Sequence, residues 1–208
     1  MKQIFLVCLA GCLFALPLEA KKTEGKIIYD TDTVDAIIKI PVKFFSRQPN
    51  YESLQYKVKY YDSKGNKFIL KPHEAKEVQF TYLGNDVRLL SRYNSLNLGN
   101  LFSISDHIFL RLEIDGNLKL FNYYYTQNTP GTYNASSGTM NPGYAYSVEN
   151  YIFQKGEGEL KRTNTMNFRK DMTEYFSDCP LLVEQIENKT FKRNDLISIV
   201  RFYNKECE

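Results

Sequence analysis

The strongest constraint on this chain is a succession of short runs rich in Ile, Val, Tyr and Phe, broken at frequent intervals by Asp, Asn and Gly, from about residue 25 to about residue 160. Runs of this kind, bounded by turn residues, form antiparallel strands joined by hairpins. Residues 27–29 and 34–40 flank Asp30-Thr31-Asp32-Thr33 as a first hairpin. Tyr56, Val58 and Tyr60 alternate with Lys57 and Lys59, which predicts a strand with its rings inward and its ammonium groups in water. Ser63-Lys64-Gly65-Asn66 then turns the chain into residues 68–70, and 78–83 pairs with 87–90 across Gly84-Asn85-Asp86. Between 109–114 and 118–125, a two-residue turn at Asp115-Gly116-Asn117 would put Leu112 beside Lys119 and mix the faces. A bulged three-residue connection, pairing Ile114 with Leu118 and Leu112 with Leu120, keeps the apolar faces together. No internal period of about 20 to 50 residues is present, so a propeller or solenoid is not indicated.

Residues 127–143 are Asn, Thr, Pro, Gly and Ser with almost no aliphatic content, and predict a long flexible loop. Strand character resumes over 144–153, and Gly156-Glu157-Gly158 is the last clear turn. The remainder has helical spacing. Phe168, Met172, Tyr175 and Phe176 share one helix face; a second helix starts near Ser177-Asp178-Cys179-Pro180 and buries Leu182, Val183 and Ile186. Asn194 is placed to cap a third, with Leu196, Ile199, Val200 and Tyr203 inward. The fold class is α+β: an antiparallel β barrel or sandwich over 21–160, followed by a C-terminal bundle of about three helices over 161–208 that packs on the same domain.

The chain opens with Met1-Lys2-Gln3, an apolar or small-residue run over 4–18, and Leu18-Glu19-Ala20 before Lys21, the pattern of a cleavable signal peptide over 1–20. Roughly 15 apolar residues reach only about 22 Å as a helix, short of the roughly 30 Å of a bilayer core. An alternative is a lipobox at Leu9-Ala10-Gly11-Cys12, which would lipidate Cys12 and tether the protein to the bacterial envelope. After cleavage at Ala20 the expected location is the periplasm or the exterior, with no transmembrane span in the mature chain.

Cys179 and Cys207 then remain. Helix 2 leaves from Cys179 and helix 3 returns over a similar length, so the two sulfurs end near each other, and an oxidising compartment favours a disulfide. A closed loop of about 28 residues is worth roughly 3 to 4 kcal/mol of chain entropy.

A formal charge of +3 without a dense basic run argues against nucleic acid as a partner. Two His residues, His73 and His107, stand in no spaced Cys/His pattern, so no metal site and no cofactor are expected. No phosphate-binding loop, HExxH, GxSxG or CxxC is present, and no catalytic residues are assigned. Ser105-Asp106-His107 looks like a triad only on paper, because neighbouring side chains of a strand point apart. His73 with Glu74 and Glu77 reads as a solvated turn. The aromatic inventory is more telling: sixteen Tyr and fourteen Phe with no Trp. Tyr123, Tyr124 and Tyr125 run into the 127–143 segment, with Tyr133, Tyr144 and Tyr146 in or just beyond it. Tyr123, Tyr125, Tyr133 and Tyr144 are therefore the candidate binding residues, suited to an envelope protein or a glycan.

The segments 109–121 around Asp115-Gly116-Asn117, Tyr175-Phe176-Ser177-Asp178-Cys179-Pro180 and Tyr203-Asn204-Lys205-Glu206-Cys207 together resemble a group of uncharacterised secreted proteins of Gram-negative bacteria. That resemblance implies export and a Cys179–Cys207 bridge, and carries no activity. The functional expectation is a non-enzymatic periplasmic or cell-surface binding module. The alternatives are a secreted hydrolase of peptide or glycan, with two carboxylates facing each other across a cleft, and an envelope lipoprotein.

Overall fold

The structure, a computed structural model, describes residues 20–43, 48–98, 105–163 and 165–207. Cys12 and all of the expected signal segment except Ala20 lie outside the described residues. Twelve strands are described: β1 (Lys21–Ile28), β2 (Thr33–Ile40), β3 (Val58–Tyr61), β4 (Lys67–Leu70), β5 (Glu77–Tyr82), β6 (Asn85–Tyr93), β7 (His107–Ile114), β8 (Leu118–Thr129), β9 (Thr132–Asn134), β10 (Thr139–Asn141), β11 (Tyr144–Lys155) and β12 (Leu160–Arg162). Helix α1 is Tyr51–Tyr56, and α2 (Phe168–Tyr175), α3 (Pro180–Glu187) and α4 (Leu196–Glu206) close the chain.

Ten strands form one antiparallel sheet in the order β12-β11-β8-β7-β6-β5-β1-β2-β3-β4, and β9 and β10 pair separately. The class is broadly α+β, but the sheet is not closed, so the expected barrel is absent, and the strands are not divided between the two sheets of a sandwich. Its end strands β12 and β4 have three and four residues, too short to serve as long exposed edges. The apolar faces are covered by other elements instead. Ile108, Phe109 and Leu110 are all fully buried in succession on β7. Phe109 joins Ile27, Ile38, Val78, Leu89 and the α1 residue Leu54 on one face, while Ile108 and Leu110 join Leu90, Phe121, Ile152 and the loop residue Leu98 on the other.

Three local expectations are corrected. Tyr56 belongs to α1 and not to a strand, because Asn50 caps the helix by accepting from Ser53 N (3.1 Å), and the chain becomes extended only at Val58. The β5–β6 turn is Leu83-Gly84, with Tyr82 opposite Asn85 and positive φ at both turn residues (51° and 79°), the geometry of a type I′ hairpin. Asn85 and Asp86 are strand residues, and Asp86 Oδ1 accepts from Thr81 Oγ1 (2.8 Å). The expected three-residue β7–β8 connection, with Ile114 opposite Leu118 and Leu112 opposite Leu120, does not form: Ile114 lies opposite Leu120 and Leu112 opposite Phe121, with the extra residue at Glu113 in the strand.

The three C-terminal helices lie on the sheet and do not form a free-standing bundle: Phe168, Met172, Phe176, Leu182, Ile186, Leu196, Ile199 and Val200 pack with Leu118, Leu120 and Phe153 of β8 and β11. Neither Asn194 nor Ser177 caps a helix. Asp195 holds the N-cap of α4 without a side-chain bond, its Oδ2 accepting instead from Lys192 N, and Cys179 precedes Pro180 at the start of α3. Asp178 turns toward the sheet, accepting from Lys155 Nζ (2.6 Å) and from Tyr203 OH (2.7 Å). Cys179 and Cys207 stand at disulfide-bonding distance, with Cα atoms 5.4 Å apart. One turn earlier on α4, the Asn204 amide donates to Leu118 O (2.9 Å) and accepts from Leu118 N (2.7 Å), as a neighbouring strand would. Gly116 makes room for it: a Cβ there would come within 2.4 Å of Asn204 Nδ2, and its φ of +150° suits glycine. The three segments 109–121, 175–180 and 203–207 thus converge on one clasp.

Asn204→Ala would leave the N–H and C=O of Leu118 without this partner and should lower unfolding stability by about 2 to 4 kcal/mol. Reduction of the bridge should lower it by roughly 3 to 4 kcal/mol. Urea unfolding of oxidised, reduced and variant protein checks both, and losses below about 1 kcal/mol would contradict the clasp.

Candidate functional site

β8 and β11 pair from Leu118–Lys155 at one end to Thr129–Tyr144 at the other, a ladder much longer than their contact with the rest of the sheet. The pairing of β7 with β8 extends no further than Arg111–Asn122, and β12 covers only residues 152 to 154 of β11. Beyond these points the two strands run on as a two-stranded ribbon. The segment 127–143, expected to be a flexible loop, is the end of this ribbon plus the β9–β10 hairpin, where Tyr133 faces Met140. Alternating Thr and Tyr supply strand propensity, while turn residues are confined to Pro130-Gly131, 135–138 and Pro142-Gly143.

The root of the ribbon is built by α1. Gln55 is buried, its Nε2 donating to Tyr124 O (2.8 Å) and its Oε1 accepting from Tyr124 N (2.6 Å). One turn away, Glu52 accepts from Thr126 N (3.0 Å) and Thr126 Oγ1 (2.7 Å). Two side chains at i and i+3 thus stand in for β7 where β7 departs. Tyr51 of the same helix stacks on Tyr124 with ring centroids 5.1 Å apart, and the Arg111 guanidinium lies 4.9 Å from the Tyr51 ring. The Tyr124 hydroxyl receives Arg111 Nη1 (3.1 Å) and Asn122 Nδ2 (3.2 Å) and donates to Glu149 Oε1 (3.1 Å), which Asn122 Nδ2 also reaches. Burial raises the Tyr124 phenol to about 12 against the pull of Asn122 and Arg111, so at neutral pH it stays a neutral donor.

The opposite face of the ribbon carries the tyrosines. The register places Tyr123, Tyr125, Tyr144 and Tyr146 on one side, with Gln127, Thr129, Val148 and Asn150 between them. Exposure increases outward: Tyr123 is buried at 5%, Tyr125 is half-buried and stacked on it at 5.7 Å, and Tyr146 and Tyr144 are 42% and 64% exposed with rings 5.9 Å apart. Of the four candidates, Tyr123 is a core residue, Tyr125 and Tyr144 share the face, and Tyr133, 66% exposed, sits on the terminal hairpin. Tyr146 on the same face, and Met140 on the terminal hairpin, 75% exposed, are not among the four. The signal that marks this surface in the sequence is the charge pattern. Residues 121–148 contain no Asp, Glu, Lys, Arg or His in a chain whose charged content is 25%.

The other sequence candidates fare differently. His73, Glu74 and His107 line one cleft of about 540 Å³ with Arg92 and Glu157. Glu77 is elsewhere, receiving both Nε and Nη2 of Arg88 (2.6 and 3.0 Å). Glu74 accepts from Lys71 N, and among the described residues no group of three His, Cys, Asp or Glu side chains is placed to hold a metal. Asp106 and Ser105 use their carbonyls on Asn94, and His107 meets the edge of Tyr93. A trough of about 800 Å³ on the outer face holds Glu24, Asp35, Asp62 and Asp86. Asp62 holds the β3–β4 turn through Lys64 N, Asn66 N and Asn66 Nδ2, bonds that keep its carboxyl low.

Burial likewise raises Tyr29 and Tyr203 to about 12. The raised folded value means that these phenols favour the fold below the ordinary value of 10 and lose that contribution as pH rises through about 12. In an alkaline absorbance titration, Tyr124, Tyr29 and Tyr203 should ionise only near pH 12, together with loss of near-UV circular dichroism. Ionisation of all sixteen tyrosines in one step near pH 10 with the fold intact would refute this burial. Comparison with protein-family models, with curated proteins and with solved structures finds no match, so the functional reading rests on the ribbon's own chemistry.

Proposed function

We propose that this is an exported, non-enzymatic binding module that grips an uncharged protein surface of the cell envelope with the tyrosine face of its β8–β11 ribbon. The observation that carries the reading is a rigidly rooted ribbon, free of charge over 121–148, presenting Tyr144, Tyr146, Tyr133 and Met140 to solvent. Tyr with Ser, Gly and Asn is the composition of antibody paratopes, where tyrosine supplies large area with little rotamer entropy to lose. Tyr and Met are enriched in protein interfaces and charged residues depleted from their cores. A glycan is the weaker choice, because the exposed face has no carboxylate to receive sugar hydroxyls. A photo-crosslinking residue at position 144 or 146 should capture a discrete protein other than a second copy of this chain in intact cells, while one at Phe68, exposed on β4, should not. Tyr144→Ala with Tyr146→Ala should weaken that complex by about 100-fold with little salt dependence. Identical adducts from positions 68 and 144, or retention of an isolated envelope glycan that the double variant abolishes, would overturn the reading.

Export is proposed on the signal-like residues 1–20 and supported by the cysteine pair at bonding distance. Among the described residues no helix is long and apolar enough to cross a membrane. Intact mass of protein from the envelope fraction should start at Lys21 and resist alkylation until reductant is added. A mass starting at acylated Cys12 would establish the lipoprotein alternative instead.

A further inference from the structure

The two edges of the ribbon are treated differently. In an antiparallel ladder the N–H and C=O of one residue point to the same side, alternating along the strand. Tyr124 and Thr126 turn these groups toward α1, which fixes the alternation: odd residues of β8 pair with even residues of β11. On β11 the backbone of Ala145, Ser147, Glu149 and Tyr151 therefore points away from β8. Thr163 Oγ1 donates to Tyr151 O (2.8 Å), which independently places the odd carbonyls on that outer side. Among the described residues no strand pairs with the outer side at Ala145, Ser147 or Glu149, and all three residues are exposed. The β8 edge is sealed by Gln55 and Glu52, whereas among the described residues the β11 edge at 145–149 carries no Pro, no Lys, no bulge in its ladder with β8 and no paired strand, and its one charge is Glu149.

We infer that this edge pairs with the same edge of a second copy of the chain, joining two sheets across a two-fold axis at Ser147. The choice of a second copy follows from self-complementarity. With Ser147 opposite Ser147, Ala145 of each copy faces Glu149 of the other, so each carboxylate meets a methyl group and not its like. Tyr146 then lies beside Val148 and Tyr144 beside Asn150, pairs without charge, and the donors and acceptors of all three outward residues are matched. The pairing continues the tyrosine face across the axis and presents it twice. It uses the edge and not the face, and stands or falls separately from the partner proposed above.

Sedimentation equilibrium of the mature chain, from about 1 μM to about 1 mM, should show a reversible monomer–dimer equilibrium. Ser147→Pro removes an outward N–H without touching the β8 ladder, and should raise the dimer dissociation constant at least about tenfold. Site-resolved amide exchange on the unaltered protein gives a reading independent of that variant. The Ala145, Ser147 and Glu149 amides should slow as protein concentration rises, while those of Tyr146 and Val148 do not change. A monomer at every concentration, a dimer indifferent to Ser147→Pro, or concentration-dependent slowing at the even positions would each overturn the inference. Tyr133→Ala, on the terminal hairpin and outside the β11 pairing, should weaken partner capture and leave the dimer, which separates this outcome from failure of the partner reading.

Discussion

The architecture depends on how the backbone of β8 is satisfied. This strand is longer than β7, and a buried N–H or C=O without a partner costs as much as a core truncation. Three side chains supply what β7 cannot: Asn204 at Leu118, Gln55 at Tyr124 and Glu52 at Thr126. The two carboxamides each match a donor and an acceptor, as a strand would, while the carboxylate accepts only and so serves where the strand reaches solvent. Because α1 is drawn from residues 51–56 and α4 from the C-terminus, β8 becomes the element on which distant parts of the chain are assembled.

Closure would remove edges by pairing β4 with β12, which stand at opposite ends of the strand order, and the strand buried on both faces is β7, with Phe109 among strand residues and Leu54 of α1 on one side and Ile108 and Leu110 with the loop residue Leu98 on the other. The C-terminal helices are bound by different chemistry at successive points: a sulfur pair at Cys179 and Cys207, the Asp178–Lys155–Tyr203 cluster, and the Asn204 amide. On Asp178, burial raises the carboxyl and the bonds from Lys155 and Tyr203 more than offset it, so its value falls below the usual 3.8. Its contribution is present above that value and fades as acid protonates the folded carboxylate.

Strand-forming runs, most turns, the cysteine pair and the apolar faces of the three tail helices were legible in the sequence, because each follows from periodicity or chain length. Tyr56 was not, since its alternation with Val58 and Tyr60 holds equally for the end of a one-turn helix followed by a strand. Nor were the Leu83-Gly84 turn, where the pull of Asn85 and Asp86 toward turns yields to tertiary pairing, or the position of the Glu113 bulge. For the candidate surface, Tyr125, Tyr133 and Tyr144 could be named from composition. Tyr123 could not be separated from them, because alternation reveals a shared face and not how deep that face lies. The network of Arg111, Asn122, Tyr124 and Glu149 comes from three strands and has no signature in any one of them.

The missing charges of the ribbon have one more consequence. An exposed arm is ordinarily where a folded protein is first nicked. Between Lys119 and Lys155 there is no basic residue, and between Glu113 and Glu149 the only acidic side chain is Asp115 in the root turn, so proteases that recognise charge find no bond to cut in this exposed arm. Enzymes that recognise aromatic side chains find Tyr133, Tyr144 and Tyr146 in the open. In an environment rich in secreted proteases, the lifetime of this arm is set by which of the two kinds is present.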